Sequence, residues 1–261
     1  MEDQNIKISI ILPNFNGEKY LSQAINSFIE QDYNFKELII VDGKSTDKSH
    51  DIIEKYNKDH SNIIWIKEHD TGISNAFNIG LEHVGGDIIG FLASDDLLFK
   101  GIFNEIVYNS NWCDFDGIYF DSYLYYKKTN KCILREVPSY EISKLNLLKF
   151  GTTVGFESMY FKKHIYDKYK LDEKNKYSMD YELYLRILSS EDNLLLLKIN
   201  KVGVIAIFDD NISSTFGDAQ REELIKVAQK YSEGLNVHRF FDIENKPTLL
   251  KRILNKLKSI V

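Results

Sequence analysis

The chain has 261 residues, 43% of them apolar and 28% charged, with a formal net charge of −6. That length buries a sizeable core in one domain, or in one domain with an appendage, and the acidic balance argues against a nucleic-acid binder, whose domains carry a basic face. No apolar run approaches the ~20 residues that cross a bilayer, and the opening MEDQNIKIS is too polar for a signal peptide, so the expected location is the cytoplasm.

Ile6 to Leu12 is an apolar, β-branched run and reads as a strand, followed by loop chemistry in Pro13-Asn14-Phe15-Asn16-Gly17. From Glu18, the residues Tyr20, Leu21, Ala24, Ile25 and Phe28 recur at helical spacing. Glu37 to Val41 is a second strand ending at Asp42-Gly43, and Ser45-Thr46-Asp47 opens a helix carrying Ile52, Ile53 and Tyr56. Ile63 to Ile66 is a third strand. Gly72 then introduces a helix with Ala76, Phe77, Ile79, Gly80 and Leu81, and Ile88 to Ala93 is a fourth strand. Apolar strands alternating with helices predict an α/β protein with a mostly parallel sheet covered on both faces. Ligands of such sheets bind at the carboxyl ends of the strands. The loops to inspect are therefore those at Asn14–Gly17, Asp42–Asp47, Glu68–Gly72 and Ser94–Asp96. Neither a dinucleotide fingerprint nor a phosphate-binding P-loop is present.

The second half is less regular. Gly117 to Tyr126 and Val154 to Phe161 read as strands, Tyr181 to Leu188 as an amphipathic helix with Asp180 near its start, and Leu194 to Phe208 as strand-rich. The expected division is a unit over 1–215, with a nucleotide half (1–112) and an acceptor half (113–215), followed by a helical segment over 216–261. Within the tail, Lys246, Lys251, Arg252, Lys256 and Lys258 flank a face of Leu249, Leu250, Ile253, Leu254, Leu257, Ile260 and Val261. Such a basic amphipathic helix suits the membrane interface, although packing on its own domain or in a homodimer would use the same face. Cys113 and Cys132 are one pair in a chain of this size and are expected to be reduced thiols.

The fourth strand ends in Ser94-Asp95-Asp96. Adjacent carboxylates repel, and a divalent cation relieves the repulsion; hard oxygen donors suit Mg²⁺ or Mn²⁺ shared with substrate phosphates. The alternative is that Ser94 or Asp95 caps a helix beginning at LLFKGIFNEIV. Asp42 and Asp70 follow the second and third strands, so carboxylates gather on one sheet edge beside Phe15, which is able to stack on a base. Asp180 suits a general base that takes a hydroxyl proton, and equally a helix cap before Tyr181. Glu182 is the next candidate base, and Arg186 suits a phosphate contact or a surface salt bridge.

The order ISIILPNFN, ELIIVDGKSTDKS, EHDTGISNAFNIGLEHVGGDIIGFLASDD and MDYELYLRIL resembles family 2 glycosyltransferases over roughly residues 5 to 210. The resemblance implies the GT-A fold and inverting transfer from a nucleotide-diphosphate sugar with Mn²⁺ or Mg²⁺. It assigns donor binding to Pro13, Asn14, Phe15, Asp42, Asp70, Asn78, Ser94 and Asp95, with Asp42 on the uracil. The cation falls to Asp96 and the general base to Asp180. The expected donor is a UDP-sugar. The expected acceptor is a glycan hydroxyl, in particular a lipid-diphosphate-linked sugar of a bacterial surface polysaccharide, met at the inner face of the membrane. Departures fall at Asp42-Gly43-Lys44, at Ala93 and at Phe156-Glu157. A sugar nucleotidyltransferase is the rival enzyme class, but PNFNGEKY lacks the basic, Gly-rich loop that opens such proteins. A non-catalytic nucleotide- or glycan-binding module is the other rival.

Overall fold

A computed structural model describes residues 6–110, 114–137, 142–152, 154–191, 193–209 and 217–233. The apolar runs of the first half become β1 (Ile8–Pro13), β2 (Lys36–Val41), β3 (Ile63–Ile66) and β4 (Ile88–Phe91). Between them lie α1 (Leu21–Ile29), α2 (Ser49–Asp59) and α3 (Ile73–Leu81). The second half adds β5 (Leu97–Leu98), α4 (Ile102–Ser110), β6 (Gly117–Tyr126), β7 (Lys131–Arg135) and α5 (Lys144–Phe150). After these come β8 (Met159–Lys162), α6 (Lys163–Lys168), α7 (Met179–Ser190), β9 (Leu196–Phe208) and α8 (Gly217–Tyr231).

The described strands form one mixed sheet in the order β3-β2-β1-β4-β8-β6-β9-β5, with β7 added to β6. The first four run parallel, β8 opposes both β4 and β6, and β6 and β9 are parallel. The two expected halves meet within this sheet, because β5 of the first pairs with β9 of the second. Alternation along the strands serves two cores. Ile8, Ile10 and Leu12 of β1 pack with α1 and α4, while Ile11 packs on the other face with α3 and α7. Covering on both faces is why these strands have no polar side.

Gly90 faces Tyr160 across the β4–β8 pairing, and a Cβ there would overlap the tyrosine ring, which has no exposed surface. Gly90→Ala is expected to overpack this contact and cost about 1–3 kcal/mol, read as a lower denaturation midpoint in urea.

Two stretches differ from expectation. Val154 to Phe161 is not one strand. Phe156–Ser158 makes a single 3-10 turn, closed by the Ser158 N–H on the Gly155 carbonyl at 3.0 Å, and the strand begins at Met159. Phe156 anchors the turn between Phe77 and Phe91, at ring distances of 5.1 and 4.9 Å, so its apolar character reflects turn packing rather than a strand face. The helix expected directly after Asp96 is also displaced. Leu97 and Leu98 pair with Ile205 and Val204 instead, and α4 starts only at Ile102, after Gly101 at φ +86°, a conformation that favours glycine. The cap reading of Ser94-Asp95-Asp96 therefore fails. Among the described residues no helix is long and apolar enough to cross a membrane. Cys132 is an exposed free thiol. Cys113 and the basic tail at 246–261 lie outside the described residues.

Candidate active site

The loops at the carboxyl ends of β1 and β4, with the segment before α3, wall a cleft of about 1750 Å³ that α7 and α8 close from the other side. Pro13, Asn14, Phe15, Asp70, Ser94, Asp95, Asp96 and Asp180 all line it. Asp42 and Asn78 do not.

Phe15 is 65% exposed at the cleft wall, an unusual position for a large apolar ring. Asn14 beside it is nearly buried. Its amide donates to Asp42 Oδ2 at 2.6 Å and to Ser45 Oγ at 3.3 Å, which leaves its Oδ1 buried without a hydrogen-bond partner. Asp42 has no exposed surface. Its Oδ1 accepts the backbone N–H groups of Lys44 and Ser45 at 3.2 and 3.0 Å and lies 3.2 Å from His50 Nε2. With both oxygens engaged, Asp42 organises the loop behind Asn14 and does not itself line the cleft. Asp70 does reach the cleft. Its carboxylate accepts the Gly72 N–H at 3.0 Å, and its backbone carbonyl is held by Lys44 Nζ.

Asn78 likewise lies outside the cleft lining. Its amide donates to the Leu171 carbonyl at 3.0 Å and to Glu173 at 3.0 Å, and accepts the Leu171 N–H at 2.9 Å. It staples α3 to the segment before α7.

At the end of β4, Asp96 is 8% exposed and accepts the Ile207 N–H from β9 at 2.9 Å. Burial, then the nearby carboxylates of Glu157 and Asp95, push its carboxyl well above the ordinary range, which favours the neutral acid over the anion. Among the described residues no three His, Cys, Asp or Glu side chains form a closed metal cage. The donor set instead fits an open site, with hard carboxylate oxygens completed by a ligand's phosphates.

Across the cleft, Asp180 is the second residue of α7, whose N-cap position belongs to Ser178. Its carboxylate accepts the Tyr181 N–H at 2.8 Å. Burial raises its pKa to about 6, Glu157 adds to the rise, and Arg135 opposes it. A carboxylate poised near neutrality at a cleft wall has the proton affinity a general base needs. Glu182, the alternative base, is buried away from the cleft, bonded to Arg186 at 3.0 Å, Lys230 at 3.2 Å and Tyr231 at 2.5 Å. It joins α7 to α8, and Arg186 completes that junction rather than touching the cleft.

A model of glycosyl transferase family 2 matches residues 9–169, more than half of the chain. The chain belongs to that family. It is 39% identical over 106 residues to the minor teichoic acid biosynthesis protein GgaB of Bacillus subtilis (strain 168), a match covering 40% of this chain and 12% of that protein. The chain therefore spans only a small part of that relative. Its fold resembles that of S. aureus TarS 1-349, solved in complex with UDP-GlcNAc, with a TM-score of 0.69 at 18% identity, over 90% of this chain and 69% of that one. It also resembles the mannosyltransferase PcManGT from Pyrobaculum calidifontis, solved with GDP-Man and Mn²⁺, with a TM-score of 0.65 at 15% identity, over 88% of this chain and 65% of that one. The fold is thus GT-A.

In this family 2 glycosyltransferase three further residues shape the site. Glu157 and Arg135 line the cleft as an ion pair at 2.5 Å. Glu157 had a signal in the sequence, as the lone charge within VGFESMYF; Arg135 had none. Glu223 of α8 accepts the backbone N–H groups of Lys176, Tyr177 and Ser178 at 3.0, 2.8 and 2.7 Å, which fixes the turn leading into Asp180. Its helix begins beyond the stretch matched by the family model.

Proposed function

We propose that this chain is an inverting glycosyltransferase that moves a hexose or N-acetylhexosamine from a UDP-sugar to a glycan hydroxyl. The observation that carries this reading is that Asp180, a carboxyl whose pKa is raised to about 6, shares one cleft with the buried Asp96 and its neighbour Asp95. Direct displacement at an anomeric carbon needs those two ends: a base that takes the acceptor proton and a polar end that receives the departing diphosphate. Asp96, with Asp95 beside it, would hold Mn²⁺ or Mg²⁺. That cation, when bound, neutralises charge developing on the leaving diphosphate. Asp95 would meet the ribose or sugar, and Asn14 Oδ1 offers an acceptor to the nucleotide. Phe15 presents a ring face to the base.

The bacterial relative named for teichoic acid biosynthesis supports an acceptor that belongs to a cell-surface polymer, and we propose a lipid-diphosphate-linked glycan as its form. On that reading the basic residues of 246–261 would bring the enzyme to the inner face of the membrane. The test is UDP release by the purified protein with Mn²⁺ or Mg²⁺, a panel of UDP-sugars and a glycan acceptor. Binding of UDP without release from any donor would favour a non-catalytic module. A second measurement addresses the base platform. Phe15→Ala is expected to weaken UDP binding about tenfold, by calorimetry, because a stacked base contributes of order 1–3 kcal/mol. An unchanged affinity would remove Phe15 from the site.

A further inference from the structure

Arg135 and Glu157 form an ion pair inside the cleft, and glycosyl transfer as outlined gives them no task. The pair is fixed from several sides. Arg135 Nη2 donates to Glu157 Oε1 at 2.5 Å, and Arg135 Nε donates to Ser122 Oγ at 2.8 Å, across the register pair that joins β6 to β7. Phe156, the neighbour of Glu157, is wedged among the rings of Phe77 and Phe91. Gly155 lies so close that a Cβ on it would overlap both Glu157 Oε1 and Arg135 Nη2. Glu157 is only 14% exposed. Desolvating such a pair gains little stability over an apolar contact of similar shape, so its fixed place on a cleft wall calls for a ligand.

Its chemistry says which kind. The bonds described leave Glu157 Oε2 and Arg135 Nη1 without a hydrogen bond among the described residues. An acceptor and a donor held side by side suit two neighbouring hydroxyls, each of which both donates and accepts. Its location says which hydroxyls. Arg135 and Glu157 line the same cleft as Asp96 and Asp180, and the charge of Glu157 acts on both of those carboxyls, so the pair is close to each. In a direct displacement the ring of the transferred sugar lies between the diphosphate and the attacking hydroxyl, within reach of a pair near both carboxyls.

We propose that the Arg135–Glu157 pair reads two adjacent hydroxyls of the transferred sugar and so selects the nucleotide-sugar the enzyme accepts. This rests on the glycosyl-transfer reading above. The test uses the full chain with Mn²⁺ and two pairs of epimers, UDP-glucose with UDP-galactose and UDP-N-acetylglucosamine with UDP-N-acetylgalactosamine. It records kcat/KM for UDP release and, separately, the Kd of UDP. Glu157→Gln and Arg135→Lys are each expected to lower kcat/KM for the preferred donor about tenfold to a hundredfold, the range for one hydrogen bond to a charged group. They are also expected to reduce the preference between epimers and to leave the Kd of UDP within about twofold. Should Glu157→Gln fold poorly, Gly155→Ala displaces the same two side chains without changing their charge and is expected to blur the epimer preference likewise. Active variants that keep the wild-type epimer ratio overturn the pair's role while leaving glycosyl transfer intact. So do variants that lose UDP binding in parallel with turnover, since the pair would then hold the nucleotide or the fold. A wild-type protein that releases UDP from no donor overturns the transfer reading, and the pair's role with it.

Discussion

Asp180→Asn is expected to lower the rate of sugar transfer by about 10²–10⁴-fold while the affinity for UDP stays within about twofold. The amide keeps the shape of the carboxylate and still accepts the Tyr181 N–H that Asp180 takes at 2.8 Å. What it loses is the ability to accept a proton. The wild-type pH profile carries the same information. With Asp180 titrating near 6, kcat/KM should rise with pH through that value, because the base must be ionised to act, and the profile of Asp180→Asn should be low and lack that limb. Stability moves the other way. The folded-state value lies above the ordinary 3.8, so the folded protein keeps this proton more tightly than the unfolded chain. Ionising it costs stability, and that cost builds as pH rises from about 4 to about 6. At pH 8 the Asp180→Asn variant should therefore melt at a higher temperature than wild type and at nearly the same temperature at pH 4. Full transfer activity in the variant, or a profile lacking a step near 6 in the wild type, would remove Asp180 from the role of base.

The parts of this site that were legible in the sequence are those set by local pattern. The apolar runs within Ile8–Pro13, Lys36–Val41 and Ile88–Phe91 announced strands buried on both faces, and polar loops at their carboxyl ends announced the cleft. Phe15, Asp70, Asp95 and Asp96 then follow from their place after a strand, Asp180 was implied by the family resemblance, and all of them line the cleft. Less legible were residues held by distant partners. Asp42 closes a strand as Asp96 does, yet its oxygens are consumed by Asn14 and by the loop at Lys44–Ser45. Asn78 sits on a helix facing the same region, but its amide is matched to the backbone of Leu171, 93 residues further on. Glu182 lies two residues from Asp180. Helical geometry turns it about 200° away, into the junction with α8. Arg135 reaches the cleft only because Ser122 and Arg135 face each other in the β6–β7 register and Glu157 arrives from a turn 22 residues later. The helix-cap reading of Ser94 or Asp95 was locally sound. It lost to a pairing between Leu97–Leu98 and β9, more than a hundred residues away, which no local propensity encodes.

Asp96→Asn separates the cation's contribution from that of the fold. Without a cation the neutral form of Asp96 is favoured, for it is buried and lies near the charges of Glu157 and Asp95. An asparagine there is close to the neutral acid in size and charge, and its Oδ1 still accepts the Ile207 N–H now bonded at 2.9 Å. The β9 contact should survive, so the melting temperature of the metal-free variant should stay close to wild type, in contrast to the penalty of leaving a buried group unpaired. Transfer should fall by about 10²–10³-fold, the cost of removing a preorganised group that stabilises developing charge, and the Mn²⁺ or Mg²⁺ concentration needed for half-maximal rate should rise. Asp95→Asn provides the contrast. On the proposed division of labour it should disturb the donor's KM more than the metal requirement. Calorimetric titration of UDP with and without Mn²⁺ reads both variants directly. If Asp96→Asn keeps metal-enhanced UDP binding while Asp95→Asn loses it, the roles of the two carboxylates are reversed. If wild-type turnover is unaffected by a chelator, this buried acid serves the sugar itself rather than a cation.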